Sequence, residues 1–138
     1  MKIYCGFPGI GKSHLFKWHP NMFLDTDSSL FSKDKEFPNN YLAHMQANQS
    51  NKIQLCSTHQ VVRKALFEKG IPYVLVYPQR NCKEEYLQRY KQRRSPEAFI
   101  ALMEKQWDNF LDELENDKGC VNRQVLGPKE YLSIYHFQ

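Results

Sequence analysis

The segment Gly6–Ser13, with the sequence GFPGIGKS, constrains the fold more than any other part of the chain. It fits the spacing G-x-x-x-x-G-K-S, follows an apolar run from Met1 to Cys5, and precedes a short predicted helix at about 14–18. Glycine allows backbone turns that a Cβ would resist, so successive amide groups can converge on phosphate oxygens. The segment therefore predicts a strand, a phosphate-binding loop and a helix in that order. A chance glycine-rich turn is the alternative.

Individual positions in this loop have predicted roles. Lys12 is expected to reach the outer phosphates of a nucleotide, and Ser13 to offer its hydroxyl to Mg²⁺. The loop therefore predicts a bound nucleotide and Mg²⁺. The residues expected to contact the nucleotide are Gly6, Pro8, Gly9, Ile10, Gly11, Lys12, Ser13 and His14.

The rest of the chain alternates strand and helix patterns, which predicts one α/β domain over residues 1–138 with helices on both faces of a parallel sheet. A helix near the C-terminal end carries an apolar stripe at helical spacing, formed by Phe99, Met103, Trp107, Phe110 and Leu114. The predicted strands are 3–5, 22–24, 53–56, 71–77 and 121–126.

Two carboxylates follow the second predicted strand, in the sequence Asp25-Thr26-Asp27. Strand ends of this kind face the ligand crevice of an open α/β sheet, and residues two apart share a side. Two carboxylates beside a polyphosphate would repel it without a cation between them. Capping of the following turn is the alternative.

The phosphate loop and the Asp25-Thr26-Asp27 strand end together resemble the P-loop small-molecule kinases. These include nucleoside monophosphate kinases, shikimate kinases and compact phage-encoded nucleotide kinases. The resemblance implies a three-layer P-loop NTPase fold with a five-stranded parallel sheet in the order 2-3-1-4-5. It also implies that Asp25 helps to hold Mg²⁺ and that Asp27 contacts or activates the acceptor.

In the resembled kinases, residues 28–52 would form the insert that binds the acceptor. Phe31, Phe37 and Tyr41 are then candidates to stack on a base. Anchoring the insert to the core is the alternative role for these rings.

The third predicted strand ends in Ser57-Thr58-His59, without the carboxylate that motor ATPases and switch GTPases of this class usually carry there. This gap favours a kinase. Ser57 and His59 are predicted to bind the acceptor, and Arg63 to reach an acceptor phosphate. Helix capping by Ser57 or Thr58, and a solvated surface position for Arg63, are the alternatives.

Four cations lie within Arg89–Arg94, at a predicted break between two helices. This cluster resembles the lid of the same kinases, about residues 89–96, in which arginines neutralise charge on the phosphoryl group during transfer. Arg89, Arg93 and Arg94 are the predicted catalytic cations. A solvated charged surface is the alternative, and the acidic stretch 104–117 is predicted to be the solvated side of its helix.

The sequence predicts a cytoplasmic protein with no membrane segment. The four cysteines show no C-x-x-C pair, which predicts reduced thiols, and the loop interrupts any signal-peptide pattern at the start of the sequence. A net charge of +4 suits a phosphorylated ligand or a weak contact with nucleic acid.

The predicted function is ATP- and Mg²⁺-dependent phosphorylation of a small acceptor, preferentially a nucleoside or deoxynucleoside monophosphate. One alternative is a polynucleotide 5′-end kinase, which the net charge supports and the lack of a long basic groove weakens. The other is a nucleotide-binding regulatory protein without turnover, for which the missing carboxylate after the third strand is the only indication.

Overall fold

A computed structural model describes residues 2–25, 40, 42–43 and 52–137 of the chain. Five parallel strands form one sheet in the order β2-β3-β1-β4-β5, which confirms the predicted α/β class and strand order. The strands are β1 (Lys2–Gly6), β2 (Phe23–Asp25), β3 (Ile53–Ser57), β4 (Val74–Pro78) and β5 (Asn122–Leu126).

The central strand β1 delivers the glycine-rich loop to one edge of the sheet. Its last residue, Gly6, pairs with Ser57 at the end of β3 and with Val76 in β4. After β1 the chain forms β2 and β3, which lie on one side of β1 in the sheet, and after β3 it crosses to β4 on the other side. Ligands of open α/β sheets bind at the carboxyl ends of the strands where this reversal occurs.

In the described ranges, the helices with defined bounds are α1 (Lys12–Trp18), α2 (Gln60–Glu68), α3 (Lys83–Gln92) and α4 (Glu97–Glu115). Short 3₁₀ turns occupy Arg80–Cys82 and Ile134–Phe137. The sequence had placed the start of α1 two residues later. It also predicted β4 from residue 71, but Pro72 has no amide hydrogen to donate to the sheet, and the strand begins after it.

The core packs the base of the loop against α3 and α4. Phe7 is buried, and its ring lies edge-on to the Trp107 and Tyr86 rings with centroids 5.4 and 6.3 Å away. The Trp107 indole N–H donates to the Arg80 carbonyl at 3.0 Å, so this buried polar group is satisfied. The predicted apolar stripe of α4 is confirmed at Met103, Trp107 and Leu114, which are buried.

All four cysteines are free thiols, as predicted. Three are buried and Cys120 is half-buried. Cys5 and Cys56 face each other from paired strands with their Sγ atoms 3.1 Å apart. Across the described ranges, none of the helices has the length and apolar character needed to cross a membrane.

Candidate phosphate-binding site

Two glycines give the loop its shape. Gly9 and Gly11 have φ angles of 92° and 105°, in the left-handed region that other residues rarely adopt. Gly9 also lies against two rings of α3, because a Cβ built there would stand 3.0 Å from the Tyr90 ring and 3.2 Å from that of Tyr86. Backbone conformation therefore favours glycine at both positions, and close packing favours it again at Gly9.

Three consecutive carbonyl groups of the loop accept hydrogen bonds from outside it. Within the described part of the chain, the Gly9 and Gly11 amides donate to no other protein group. The loop therefore has its acceptors bound and these two donors available, which is the arrangement that an anion requires. The three bonds run from the Tyr90 hydroxyl to Pro8, from the Arg89 guanidinium to Gly9, and from the Leu132 amide to Ile10, at 2.8, 2.8 and 2.9 Å. We call these three contacts the loop brace.

Lys12 folds back over the loop that precedes it. Its Nζ atom donates to the Gly6 carbonyl at 2.5 Å. The ammonium group is therefore held beside the loop, where the motif requires a cation.

A cavity of about 580 Å³ opens above the loop. It is lined by three strong cations, and none of its lining residues in the described ranges is acidic. A concave surface with one sign of charge attracts oppositely charged ligands. The cavity therefore suits an anion. Its walls are Pro8, Gly9, Gly11, Lys12, Ser13, His14, Ser57, His59, Arg89, Gln92, Arg93, Phe99 and Tyr131.

Arg89 is a buried wall of this cavity rather than an exposed, mobile cation. Its guanidinium lies between the Tyr86 and Tyr131 rings, 4.2 and 3.8 Å from their centroids. Besides the Gly9 bond, it donates to the Glu85 carboxylate at 2.7 Å and to the Glu130 carbonyl at 3.0 Å. These contacts leave it little freedom to swing over a phosphate, in contrast to the lid role that the sequence predicted.

The rest of the predicted lid is a well-formed helix end. The Ser95 amide donates to the Tyr90 carbonyl at 2.9 Å, and the Arg94 amide to the Lys91 carbonyl at 3.0 Å. This pair of bonds is a Schellman motif, and Arg94 stands at its left-handed position with φ 59°. Arg94 is not among the cavity walls.

Arg93, in the lid segment, is exposed and lines the cavity. Its guanidinium lies 5.1 Å from the centroid of the Tyr90 ring. Its Nε donates to the Ser95 hydroxyl at 3.1 Å. Of the three predicted lid arginines, Arg93 alone combines exposure with a position on the cavity wall.

Ser57 and His59 line the cavity, as expected for residues that follow β3, but Arg63 does not. Arg63 is buried and donates to the Thr58 carbonyl at 2.8 Å and to Asp117 at 2.7 Å, with Glu113 at 3.4 Å. It is therefore not the solvated surface residue that the sequence offered as an alternative.

Asp117 likewise departs from the solvated helix side predicted for it. The Asp117 carboxylate also accepts hydrogen bonds from the Tyr73 hydroxyl and from the Gly119 and Cys120 amides. We call Asp117 and its four partners, Arg63, Tyr73, Gly119 and Cys120, the Asp117 corner. Burial alone would raise the pKa of Asp117, but the bonds from Arg63, Cys120, Tyr73 and Gly119 hold that pKa below its ordinary value.

A second cavity of about 570 Å³ adjoins the first on the other side of α1. Gly11, His14 and Tyr131 border both cavities. The remaining walls are Leu15, His19, Leu132, Ser133 and Ile134. This space lies beside the segment that follows β5.

The residues present could hold a magnesium ion through two oxygen ligands, one on the loop and one at the end of β2. Ser13 lines the cavity, and Asp25 ends β2. The described residues include no group of three His, Cys, Asp or Glu side chains placed to hold a metal. A nucleotide-bound Mg²⁺ needs only one or two protein oxygens, with phosphates and water completing its shell. The Asp25 side chain, and all of Asp27, Phe31, Phe37 and Tyr41, lie outside what the structure describes.

Three cavity walls were not anticipated from the sequence: Gln92, Phe99 and Tyr131. Gln92 lies within the predicted lid, so the sequence could have placed it near the site. Phe99 was assigned wholly to the core stripe, although it is only half-buried. Tyr131 has no local signal, because it reaches the site through a segment that follows the last strand.

The fold and the loop define an α/β protein with an all-parallel five-stranded sheet and a glycine-rich loop at the end of its central strand. No protein-family model matches the chain, and no curated protein matches it. A crystal structure of an uncharacterized protein from Eubacterium ventriosum has a similar fold, with a TM-score of 0.50 and 12% identity. The match covers 95% of this chain and 90% of that one. At this identity the likeness concerns the fold alone.

Proposed function

We propose that the chain is a three-layer P-loop NTPase-type kinase. It would transfer the γ-phosphoryl group of ATP to a small acceptor, preferentially a nucleoside or deoxynucleoside monophosphate. The observation that carries this proposal is the loop brace. In the brace, three loop carbonyls accept hydrogen bonds from residues outside the loop, and the Gly9 and Gly11 amides stay available to a ligand. These amides lie beside a cationic cavity that has no acidic wall among the described residues.

Each residue of the site has a separate task in this proposal. Lys12 and the loop amides hold the outer phosphates, and Arg93 adds charge from the opposite wall. Ser13, and by the resemblance Asp25, would hold Mg²⁺, which would offset the charge of the phosphates. Catalysis then consists of positioning and charge neutralisation, because phosphoryl transfer needs little covalent help.

In the proposed step an oxygen atom of the acceptor bonds to the γ-phosphorus. The bond from that phosphorus to the oxygen bridging it to the β-phosphate breaks, and ADP leaves. Where the accepting oxygen carries a proton, that proton passes to a base, a role that the resemblance gives to Asp27.

The base of ATP would occupy the second cavity. This cavity shares Gly11, His14 and Tyr131 with the first cavity, above the loop, which we call the phosphate cavity. A nucleotide can therefore extend from one cavity to the other around the start of α1. In the resembled kinases, the segment after the last strand lies near the purine. Leu132 and Ile134 supply apolar surface for a ring there.

Lys12→Ala tests the proposal. We expect ATP-dependent phosphoryl transfer to fall by about a thousandfold or more, because a cation that faces the transferring group is typically worth that much. The matched control is Lys17→Ala, which removes a lysine from the exposed side of the same helix. Circular dichroism would establish that both variants are folded. Undiminished transfer in a folded Lys12→Ala variant would refute the assignment.

A panel assay would separate the acceptor classes. ATP is offered with each nucleoside monophosphate, with a short 5′-hydroxyl oligonucleotide, or with no acceptor, and the labelled product is measured. Transfer to the oligonucleotide alone would favour the polynucleotide kinase. ATP binding without transfer to any acceptor would favour a regulatory protein.

A further inference from the structure

A third cavity, of about 240 Å³, adjoins the phosphate cavity. The two share Pro8, His59 and Phe99, so they are neighbouring spaces at the same edge of the sheet. The other walls come from the base of the loop, from the residue after β3 and from one side of α4. These are Phe7, Thr58, Leu102, Met103, Phe110, Glu113 and Leu114.

The chemistry of this cavity differs from that of its neighbour. Most of its walls are aromatic or aliphatic, and its described lining includes no lysine or arginine. Its acidic residue, Glu113, lies at the rim with its carboxylate 3.4 Å from the Arg63 guanidinium. An ionised group placed here would lose hydration without gaining a counterion, which is costly. The cavity therefore suits an uncharged, apolar group.

The core of the protein leaves part of α4 uncovered at this point. Met103 and Leu114 are buried, but Leu102 is 49% exposed and Phe110 is half-buried. Apolar side chains that surround a concave space beside a polar site are typical of ligand pockets.

We propose that this third cavity binds the flat, uncharged ring of the phosphoryl acceptor, and that the ring's substituent carries the accepting oxygen past His59 into the phosphate cavity. The proposal rests on the proposed function and narrows its acceptor to compounds that carry an aromatic ring. An apolar cavity of about 150 Å³ is large enough for benzene. The volume here accommodates a one-ring or small two-ring system.

This placement differs from the one that the sequence suggested, in which Phe31, Phe37 and Tyr41 stack on the base. The α4 wall needs none of those residues. Sugars and other polyols are disfavoured, because the hydroxyl groups along their length would face the phenyl and methyl groups of Phe99, Leu102 and Met103.

Methyl NMR on the intact chain tests the proposal through Met103. With methionine methyl groups labelled by carbon-13, the protein is titrated with indole, thymidine or adenosine, and with ribose and glycerol as ring-free controls. We expect the Met103 methyl signal to shift with each aromatic compound and to stay in place with ribose and glycerol. Met22, on the exposed turn before β2, is the internal control and should not shift. Equal shifts with the polyols, or no shift with any ring, would overturn the proposal.

A charge placed in the cavity wall gives a second test. Leu102→Glu puts a carboxylate on an already exposed position, and we expect thymidine affinity to fall about tenfold or more because the ring would then displace a hydrated charge. The matched control, Val61→Glu, makes a similar change at a position that is 51% exposed on α2 and is not a cavity wall. Thermal unfolding would verify both folds. Unchanged thymidine affinity in Leu102→Glu would place the ring elsewhere.

The outcomes separate this proposal from the general one. ATP binding that depends on Lys12, together with an unmoved Met103 signal, would overturn the ring site and leave the kinase proposal standing. Ring binding at Met103 in a protein that binds no ATP would refute the kinase and keep only an apolar ligand site.

Discussion

Arg63 and Arg89 make a natural pair for comparison, because they are equally buried and each forms an ion pair of the same length. Each side chain is 7% exposed, and each guanidinium lies 2.7 Å from a carboxylate. The partner of Arg63 is Asp117, which is 5% exposed, with a second carboxylate nearby. The partner of Arg89 is the more exposed Glu85, and its other bonds go to loop and C-terminal carbonyls.

The difference assigns the two arginines to different tasks. In the Asp117 corner, carboxylates balance the charge, so Arg63 joins α2 to the end of α4 and offers nothing to a ligand. Arg89 donates one bond to the Gly9 carbonyl in the loop brace and another to the Glu130 carbonyl, and it lines the cationic cavity above the loop. Burial and an ion pair alone therefore do not decide whether an arginine serves the fold or the site.

The largest effect on stability should come from the Asp117 corner. Asp117→Ala leaves the buried Arg63 without its main counterion, and we expect the free energy of unfolding to fall by about 4 kcal/mol. The change should leave ATP affinity unaltered wherever the variant is folded. Urea unfolding and calorimetric titration would measure both quantities. Asp108→Ala is the control, since it removes an exposed partner of Arg80 and should cost less than about 1 kcal/mol. A large loss of ATP affinity in folded Asp117→Ala would mean that the two regions are coupled.

Arg89→Ala should affect both stability and ligand binding. We expect a loss of about 3 kcal/mol in unfolding free energy, since a buried ion pair is broken. ATP affinity should also fall about tenfold or more, because the Gly9 carbonyl loses its partner and the loop is no longer held. Arg93→Ala is the comparison: its stability should barely change, and its effect should appear mainly in kcat. The brace would be refuted if Arg89→Ala lowered kcat alone with normal stability and ATP affinity.

Acid should weaken the Asp117 corner. The folded pKa of Asp117 lies below the ordinary value of 3.8, so its stabilising contribution is complete above that pH and is lost as the pH falls through the lower folded value. The difference in unfolding free energy between the wild type and Asp117→Asn should therefore shrink below about pH 4. Urea unfolding at a series of pH values would measure it. A difference that stayed constant down to the lowest pH would contradict the lowered pKa.

Tyr90→Phe isolates one bond of the brace. It removes the hydroxyl that donates to the Pro8 carbonyl and keeps the ring that packs on Gly9. We expect a loss of about 1 kcal/mol in stability and a fall of a few fold in ATP affinity. Calorimetric titration would show the effect on affinity, and ATP binding as tight as in the wild type would exclude a role for this bond in shaping the loop.

The smallest predicted change is a gain. Arg94 occupies the left-handed position of a Schellman motif, where glycine is preferred, so Arg94→Gly should stabilise the protein by about 1 kcal/mol. The same variant tests the lid role predicted from the sequence. Retained kcat with a higher melting temperature would make Arg94 a conformational residue, whereas a large loss of kcat would restore it as a catalytic cation.

The parts of the molecule that the sequence predicted well are those with local signals. The glycine spacing located the loop, and the apolar stripe located α4; the strand order came from the family resemblance. Arg63 was misread because its partner Asp117 lies 54 positions away, and no local pattern joins them. Arg89 was read as part of a charge run because its bonds to Gly9 and to the carbonyl of Glu130 depend on the tertiary fold.

The loop brace also has a consequence for the order in which the molecule is built. The loop is synthesised well before the groups that brace it, because two of its carbonyls bond to donors 80 and 82 positions further on and a third bonds to the Leu132 amide. Contacts between such distant positions form slowly, since chain closure must come first. A nascent chain that ended before Leu132 would hold β1 and the glycines, but not the finished loop. Nucleotide affinity should therefore appear late in folding, after the sheet has assembled.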